Sequence, residues 1–145
     1  MKALGVTVAA ALALAGCGEE DESFPTACDD SVAAVQEALE RAPGDVALSE
    51  GTKLSTCIDR SRTSADIQTV GALYTATADA LSMQAPRSDA AALRLGYLLG
   101  ATRRGAARTN GIHEELVRRL QNTAGTPIAG RAAFRRGEAA GLRSG

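Results

Sequence analysis

Apolar residues recur along this chain at the three- and four-residue steps of an α-helix, and short polar stretches separate the apolar segments. A first helix is predicted before Pro43-Gly44, with Thr26 or Asp29 as its cap. Its apolar stripe consists of Val32, Val35 and Leu39. We predict a loop for residues 45–53 and a short second helix for residues 54–60.

A long third helix is predicted between Ser64, which can cap it, and Pro86, which ends it. Ser88 can cap the next helix, where Asp89 in the first turn suits the positive end of the helix dipole. Several large apolar residues give this fourth segment more than one apolar side, which predicts the central helix of the domain: Leu93, Leu95, Tyr97, Leu98 and Leu99. Gly96 and Gly100 lie one turn apart and would let a neighbouring helix pack closely.

The last third of the chain predicts further helices. After Asn110-Gly111, an apolar stripe extends to a break near Gly125, and its members are Ile112, Leu116 and Leu120. Thr126-Pro127 suits the cap and first position of a final, weakly apolar helix that continues to about Gly141. No alternating strand pattern and no internal repeat is present. We therefore expect one all-α domain over residues 28–145, a small bundle of four or five helices.

The N-terminus has the pattern of a secretory signal peptide rather than that of a folded domain. Met1-Lys2 supplies a positive charge, residues 3–13 are apolar except for Gly5 and Thr7, and small residues follow. A membrane-spanning helix needs about 20 apolar residues, and this run is shorter. We therefore expect residues 1–16 to be removed during export.

The end of this signal, Leu14-Ala15-Gly16-Cys17, resembles the lipobox of bacterial lipoproteins. The resemblance implies that the Cys17 thiol is lipidated and that Cys17 becomes the mature N-terminus, with fatty-acyl chains such as palmitate holding the protein on the extracytoplasmic face of the cell membrane. It covers only residues 1–17 and implies nothing about the fold of the rest. Residues 17–27 are then the lipidated N-terminus and a short acidic tether.

Two of the three cysteines remain once Cys17 is assigned to the lipid. An even pair in an exported protein predicts a disulfide between Cys28 and Cys57, which would close a loop of about 30 residues and stabilise the fold by about 3–4 kcal/mol. Two free buried thiols, or half of a metal site, are the alternatives. A metal site needs more ligands, and the chain has a single histidine.

Charge is distributed unevenly along the chain. Residues 17–86 contain 13 acidic and four basic residues, whereas residues 87–145 contain 11 arginines and four acidic residues. The basic part could bind an anionic envelope polymer, lipid headgroups or an acidic protein, and nucleic acid is not expected outside the membrane. Arg131, Arg135 and Arg136 are the candidate binding residues, because the first two are four apart in the predicted final helix. Alternatively, arginines at helix ends complement the helix dipoles and the two halves attract each other.

One segment, His113-Glu114-Glu115, approaches a catalytic motif. A zinc-protease helix needs a second histidine four residues after the first, and that position is Val117. His113 lies in the polar first turn of its predicted helix beside two acidic residues, so we expect an ordinary exposed histidine. The sequence predicts no metal, no cofactor and a non-enzymatic binding or structural role at the cell envelope. Two alternatives stay open: a helical module that binds a small ligand near Tyr74 and Tyr97, and an envelope enzyme with an unrecognised site.

Overall fold

The structure, a computed structural model, describes residues 23–145, and all regular structure in this range is helical. Two short 3₁₀ turns, Thr26–Asp29 and Ser49–Gly51, accompany six α-helices: α1 (Val32–Leu39), α2 (Leu54–Arg60), α3 (Ser64–Gln84), α4 (Asp89–Ala106), α5 (Glu114–Ala129) and α6 (Ala132–Ser144). The predicted small all-α bundle is confirmed, with six helices rather than four or five. None of these helices is long and apolar enough to cross a membrane.

Side-chain caps define where three of the helices begin. Ser88 caps α4 as predicted, because its hydroxyl accepts a hydrogen bond from the backbone N–H of Ala91. Ser31 caps α1, because residues 26–29 form a separate 3₁₀ turn before it. Thr63, one residue before the predicted cap, starts α3 in a capping box with Asp66.

The junction between α5 and α6 differs from the prediction. Gly125 breaks the regular helix as expected, with a positive φ of 60° that glycine adopts readily. Residues 126–129 form a short helical turn, but Arg131 has an extended backbone and α6 begins only at Ala132. The predicted start of the last helix at Thr126 is therefore wrong by about a turn and a half.

Helix α4 is the central helix, as predicted, and packs against α2, α3, α5 and α6. It contributes a nearly continuous series of buried residues, which includes Leu95, Tyr97, Leu98 and Leu99. Every residue of the hydrophobic core, together with the partly buried residues around it, lies between Phe24 and Ala140. A chain that starts at Gly18 therefore contains the whole described core.

Glycines bring α4 and α6 into backbone contact. A Cβ atom on Gly96 would lie 2.1 Å from the carbonyl oxygen of Phe134, and one on Gly137 would lie 1.9 Å from that of Leu93. Gly100 and Gly141 face the opposite helix just as closely. The predicted close packing at Gly96 and Gly100 is confirmed, and the neighbour is α6. The weakly apolar α6 docks through backbone contact with α4 at these glycines and through the buried ring of Phe134.

Candidate functional site

The two cysteines after the tether form a disulfide that joins the first 3₁₀ turn to α2. Cys28 and Cys57 are both fully buried, and their Cα atoms are 5.4 Å apart, within the range for a disulfide. The predicted pairing is confirmed. Cys17 and the signal peptide lie outside the described residues, so lipidation stays a prediction.

Arg131 does not share a helix face with Arg135 and Arg136. Because α6 begins after it, its guanidinium turns back, and Nη2 lies 2.5 Å from a carboxylate oxygen of Asp89. The same guanidinium donates a hydrogen bond to the carbonyl of Ala85. Arg131 therefore ties the start of α6 to the end of α3 and the start of α4, and the predicted group of three arginines is not one surface.

A different pair of arginines stands on the outward side of α6. Arg136 and Arg143 are seven residues, or two turns, apart, and both are exposed. Neither makes an ion pair with the described residues. Exposed Ala132 and Ala139 lie along the same side. We call these four residues the outer stripe. Arg135, also exposed, lies beside it and donates to the carbonyl of Gly130 at 2.6 Å.

Ion pairs within residues 23–145 do little to join the acidic half of the chain to the basic half. Arg108 and Asp59, 3.9 Å apart, are the one pair between the halves in this range. The remaining pairs lie within one half: Lys53–Asp45, Arg62–Asp59, Arg103–Glu138, Arg118–Glu115, Arg119–Glu115 and Arg131–Asp89. The positive charge of the outer stripe is thus not neutralised by the acidic half.

His113 is buried, contrary to the prediction of an exposed side chain. It occupies the residue before α5, and its ring is only 1% exposed. Nε2 lies 3.0 Å from the hydroxyl of Ser61, which is itself fully buried and donates to the carbonyl of Ile58 at 2.9 Å. The His113–Ser61 hydrogen bond therefore links the end of α2 to the start of α5.

A serine beside a histidine is one half of a nucleophilic arrangement, in which the base activates the hydroxyl. Here the hydroxyl of Ser61 is enclosed and already bound to the main chain, so it is not presented to a substrate. The described part of the chain also contains no group of three His, Cys, Asp or Glu side chains that could hold a metal ion. The pair has the geometry of a structural contact.

The burial of His113 makes the stability of the fold depend on pH. Burial lowers its pKa below the ordinary 6.5, and the charge of Arg62 lowers it further, while the carbonyls of Ser61 and Ile58 oppose the change. The unfolded chain therefore takes up a proton near pH 6.5 before the native protein does. We expect the free energy of unfolding to fall as the pH drops from 7 towards 5, by up to about 1.4 kcal/mol per pH unit.

Urea unfolding at several pH values measures this dependence, and His113→Gln is the reference variant. Carboxylates titrate alike in both proteins, so the parent should lose more stability than the variant between pH 7 and pH 5. Parallel profiles for the two proteins would contradict the prediction.

A groove with mostly apolar walls lies between α3 and the start of α5, and we call it the α3–α5 groove. Its volume is about 650 Å³. The apolar part of its lining consists of Ile67, Gly71, Ala72, Ala76, Ile112 and Leu116, and the polar part of Gln68, Thr75, Asp79, His113, Glu115 and Arg119. No motif in the sequence predicts this groove. The available signal was the absence of large side chains along one side of α3, at Gly71, Ala72, Thr75 and Ala76.

A second depression of similar volume lies between the end of α4 and α5, and its charged side chains include Arg103, Glu114 and Arg118. Neither Tyr74 nor Tyr97 lines either cavity. Both tyrosines are fully buried, and the hydroxyl of Tyr74 donates to the carbonyl of Leu54 at 2.7 Å. Burial raises the pKa of Tyr74. Both tyrosines are therefore core residues of the bundle.

No protein-family model, curated protein or solved structure matches this chain. Two features present chemistry to the outside: the outer stripe of α6 and the α3–α5 groove.

Proposed function

We propose that this protein is a lipoprotein, anchored through Cys17 on the extracytoplasmic face of the cell membrane, with a non-enzymatic binding role. The resemblance of residues 14–17 to a lipobox supports the anchor. The Cys28–Cys57 disulfide supports export, because structural disulfides persist mainly in oxidising compartments. Residues 18–27 would reach at most about 35 Å even when fully extended, which would hold the domain near the headgroups.

The outer stripe is the binding surface in this proposal, and its two unpaired arginines are the observation that carries it. Arg136 and Arg143 project from the same side of α6 without carboxylate partners in the described chain, and Ala139 lies between them in the outer stripe. Small neighbours leave the guanidinium groups free to approach a flat anionic surface. Because the guanidinium fork binds phosphate oxygens in pairs, the partner is expected to carry phosphate, as anionic lipid headgroups and phosphate-containing envelope polymers do.

The anchor is tested with Cys17→Ser. The variant should leave the membrane fraction or accumulate as an uncleaved precursor, because its only proposed acylation site is gone. Metabolic lipid labelling followed by detergent phase partitioning measures both outcomes. The double variant Cys28→Ala/Cys57→Ala is the control and should keep its lipid label. Lipid labelling of Cys17→Ser at the parental level would refute the anchor.

The binding surface is tested with Arg136→Gln/Arg143→Gln in the chain from Gly18 onward. Each arginine near an anionic membrane contributes about 1 kcal/mol, so the double variant should bind phosphatidylglycerol vesicles about 30-fold more weakly. Co-sedimentation with these vesicles, with phosphatidylcholine vesicles and with isolated cell wall measures the effect. Binding by the parent should weaken with added salt, because exposed charges are screened over about 10 Å at 0.1 M.

The control for this experiment is Arg118→Gln/Arg119→Gln, which removes the same charge from another exposed site. Both arginines already bind Glu115 and hold the pKa of that carboxyl below its usual range. The control should therefore keep most of its affinity for the anionic surface. Equal losses in the two double variants, or no binding by the parent to vesicles or cell wall, would contradict a specific role of the outer stripe.

A further inference from the structure

We propose that the α3–α5 groove binds an uncharged, mostly apolar small molecule that donates one hydrogen bond to Nδ1 of His113. This site is separate from the outer stripe, and the proposal does not depend on the lipid anchor. Three observations support it: the shape and walls of the groove, the hydrogen bonding of His113, and the charges at the rim.

The groove has the size and lining of a small-molecule site. Its volume of about 650 Å³ falls within the range of ligand pockets, which are mainly apolar with a few polar groups. Gly71 forms part of the floor, and no atom lies within 4 Å of the position that a Cβ would take there. Ile112, at one wall, is 53% exposed, so it presents apolar surface to the groove.

The hydrogen bonds of His113 determine which nitrogen is available to a ligand. Ser61 uses its single hydroxyl hydrogen in the bond to the carbonyl of Ile58, so its oxygen accepts a hydrogen bond from Nε2–H of His113. A neutral ring with its proton on Nε2 carries a lone pair on Nδ1. Nδ1 makes no hydrogen bond with the described residues, and no fully buried side-chain nitrogen or oxygen in this range lacks a partner, so Nδ1 lies at the small exposed edge of a side chain that lines the groove. It can therefore accept a hydrogen bond from an O–H or N–H group of a ligand.

The charges at the rim disfavour an anionic ligand. Glu115 is bound to Arg118 and Arg119, so the positive charge nearest the groove is already paired. Asp79 adds a negative charge, and its carboxylate accepts one hydrogen bond within the described chain, from the hydroxyl of Thr123 at 3.4 Å. A carboxylate would find no unpaired positive charge among the charged residues that line the groove, Asp79, Glu115 and Arg119, and would bring no donor for Nδ1. An uncharged hydroxyl or amide attached to an apolar body fits both conditions.

The first experiment tests whether the groove binds an apolar molecule. N-phenyl-1-naphthylamine is uncharged, carries one N–H group and becomes fluorescent in apolar surroundings. Titrated into the chain from Gly18 onward at pH 7.5, it should give saturable fluorescence. Ala72→Leu places a larger side chain in the groove and should weaken this binding about ten-fold. Ala33→Leu, a matched change at an exposed position of α1 outside the groove, should bind like the parent.

The second experiment tests the hydrogen bond with two isomers, 1-decanol and 1-methoxynonane, which have the same atoms but differ in having a donor. Decanol should displace the fluorophore at about five-fold lower concentration than the ether. Since the chain has a single histidine, long-range ¹H–¹⁵N spectra report its ring nitrogens without ambiguity. The spectra should show a proton on Nε2, and decanol, but not the ether, should shift the Nδ1 resonance.

Saturable binding that Ala72→Leu weakens and Ala33→Leu preserves supports the site, once circular dichroism shows that both variants are folded. Absence of saturable fluorescence, or equal binding by the two variants, overturns it. Equal displacement by the two isomers, or a ring with its proton on Nδ1, overturns the hydrogen bond to His113. None of these outcomes depends on vesicle binding or on lipidation.

Discussion

Substitution of Gly137 by alanine should lower the free energy of unfolding by about 3 kcal/mol. The added Cβ would lie 1.9 Å from the carbonyl oxygen of Leu93 and 2.9 Å from the amide nitrogen of Tyr97, and both are backbone atoms that cannot rotate away. Overpacking of this kind typically costs 1–3 kcal/mol, and the clash here is with two positions of the central helix. Alanine is more favourable than glycine inside a helix by only about 1 kcal/mol, so the clash outweighs this gain and the net effect is a loss of stability.

Urea unfolding followed by circular dichroism measures this loss, and Gly71→Ala is the matched control. Gly71 also lies inside a helix, but a Cβ there meets no atom within 4 Å, so the substitution should stabilise the protein by about 0.5–1 kcal/mol. The same substitution should thus lower the free energy of unfolding at Gly137 and raise it at Gly71. A Gly137→Ala variant as stable as the parent would mean that α4 and α6 are not in backbone contact.

Removal of the disulfide should cost about 3 kcal/mol. Cys28 and Cys57 are separated by 29 positions, and a closed loop of this length restricts the unfolded chain strongly. The bridge also fastens the first 3₁₀ turn to α2, and both belong to a part of the fold with short helices. We therefore expect Cys28→Ala/Cys57→Ala to keep its helices but to unfold at a lower urea concentration.

The parent under reducing conditions provides the comparison for this variant. If the effect comes from the cross-link, the reduced parent and the double variant should lose similar stability relative to the oxidised parent. Mass spectrometry with alkylation before and after reduction counts the free thiols in the exported protein. Two alkylatable thiols at Cys28 and Cys57 without reductant, or an unchanged urea midpoint in the double variant, would contradict this expectation.

The residues of the candidate sites were harder to predict than the helices. His113 was expected to be exposed because it lies between a turn and two glutamates, and no local pattern reveals that the turn folds its ring against Ser61, 52 positions earlier. Arg131 was expected on a helix face because Thr126-Pro127 is a good helix start. The extended backbone at Arg131 and its contacts with Ala85 and Asp89 depend on how α6 meets the rest of the bundle.

Local information in the sequence determined the helical class, the central position of α4, most helix ends and the partner of each cysteine after the tether. Apolar periodicity and helix caps act within a few turns of chain, so they can be read from the sequence. The disulfide can also be read from it, because two remaining cysteines allow only one pairing. Only the tertiary structure decided that α6 docks through Gly137 and Gly141, that His113 is buried and that a groove opens beside α3. Each of these depends on which distant surfaces meet, and that is set by the packing of the whole core.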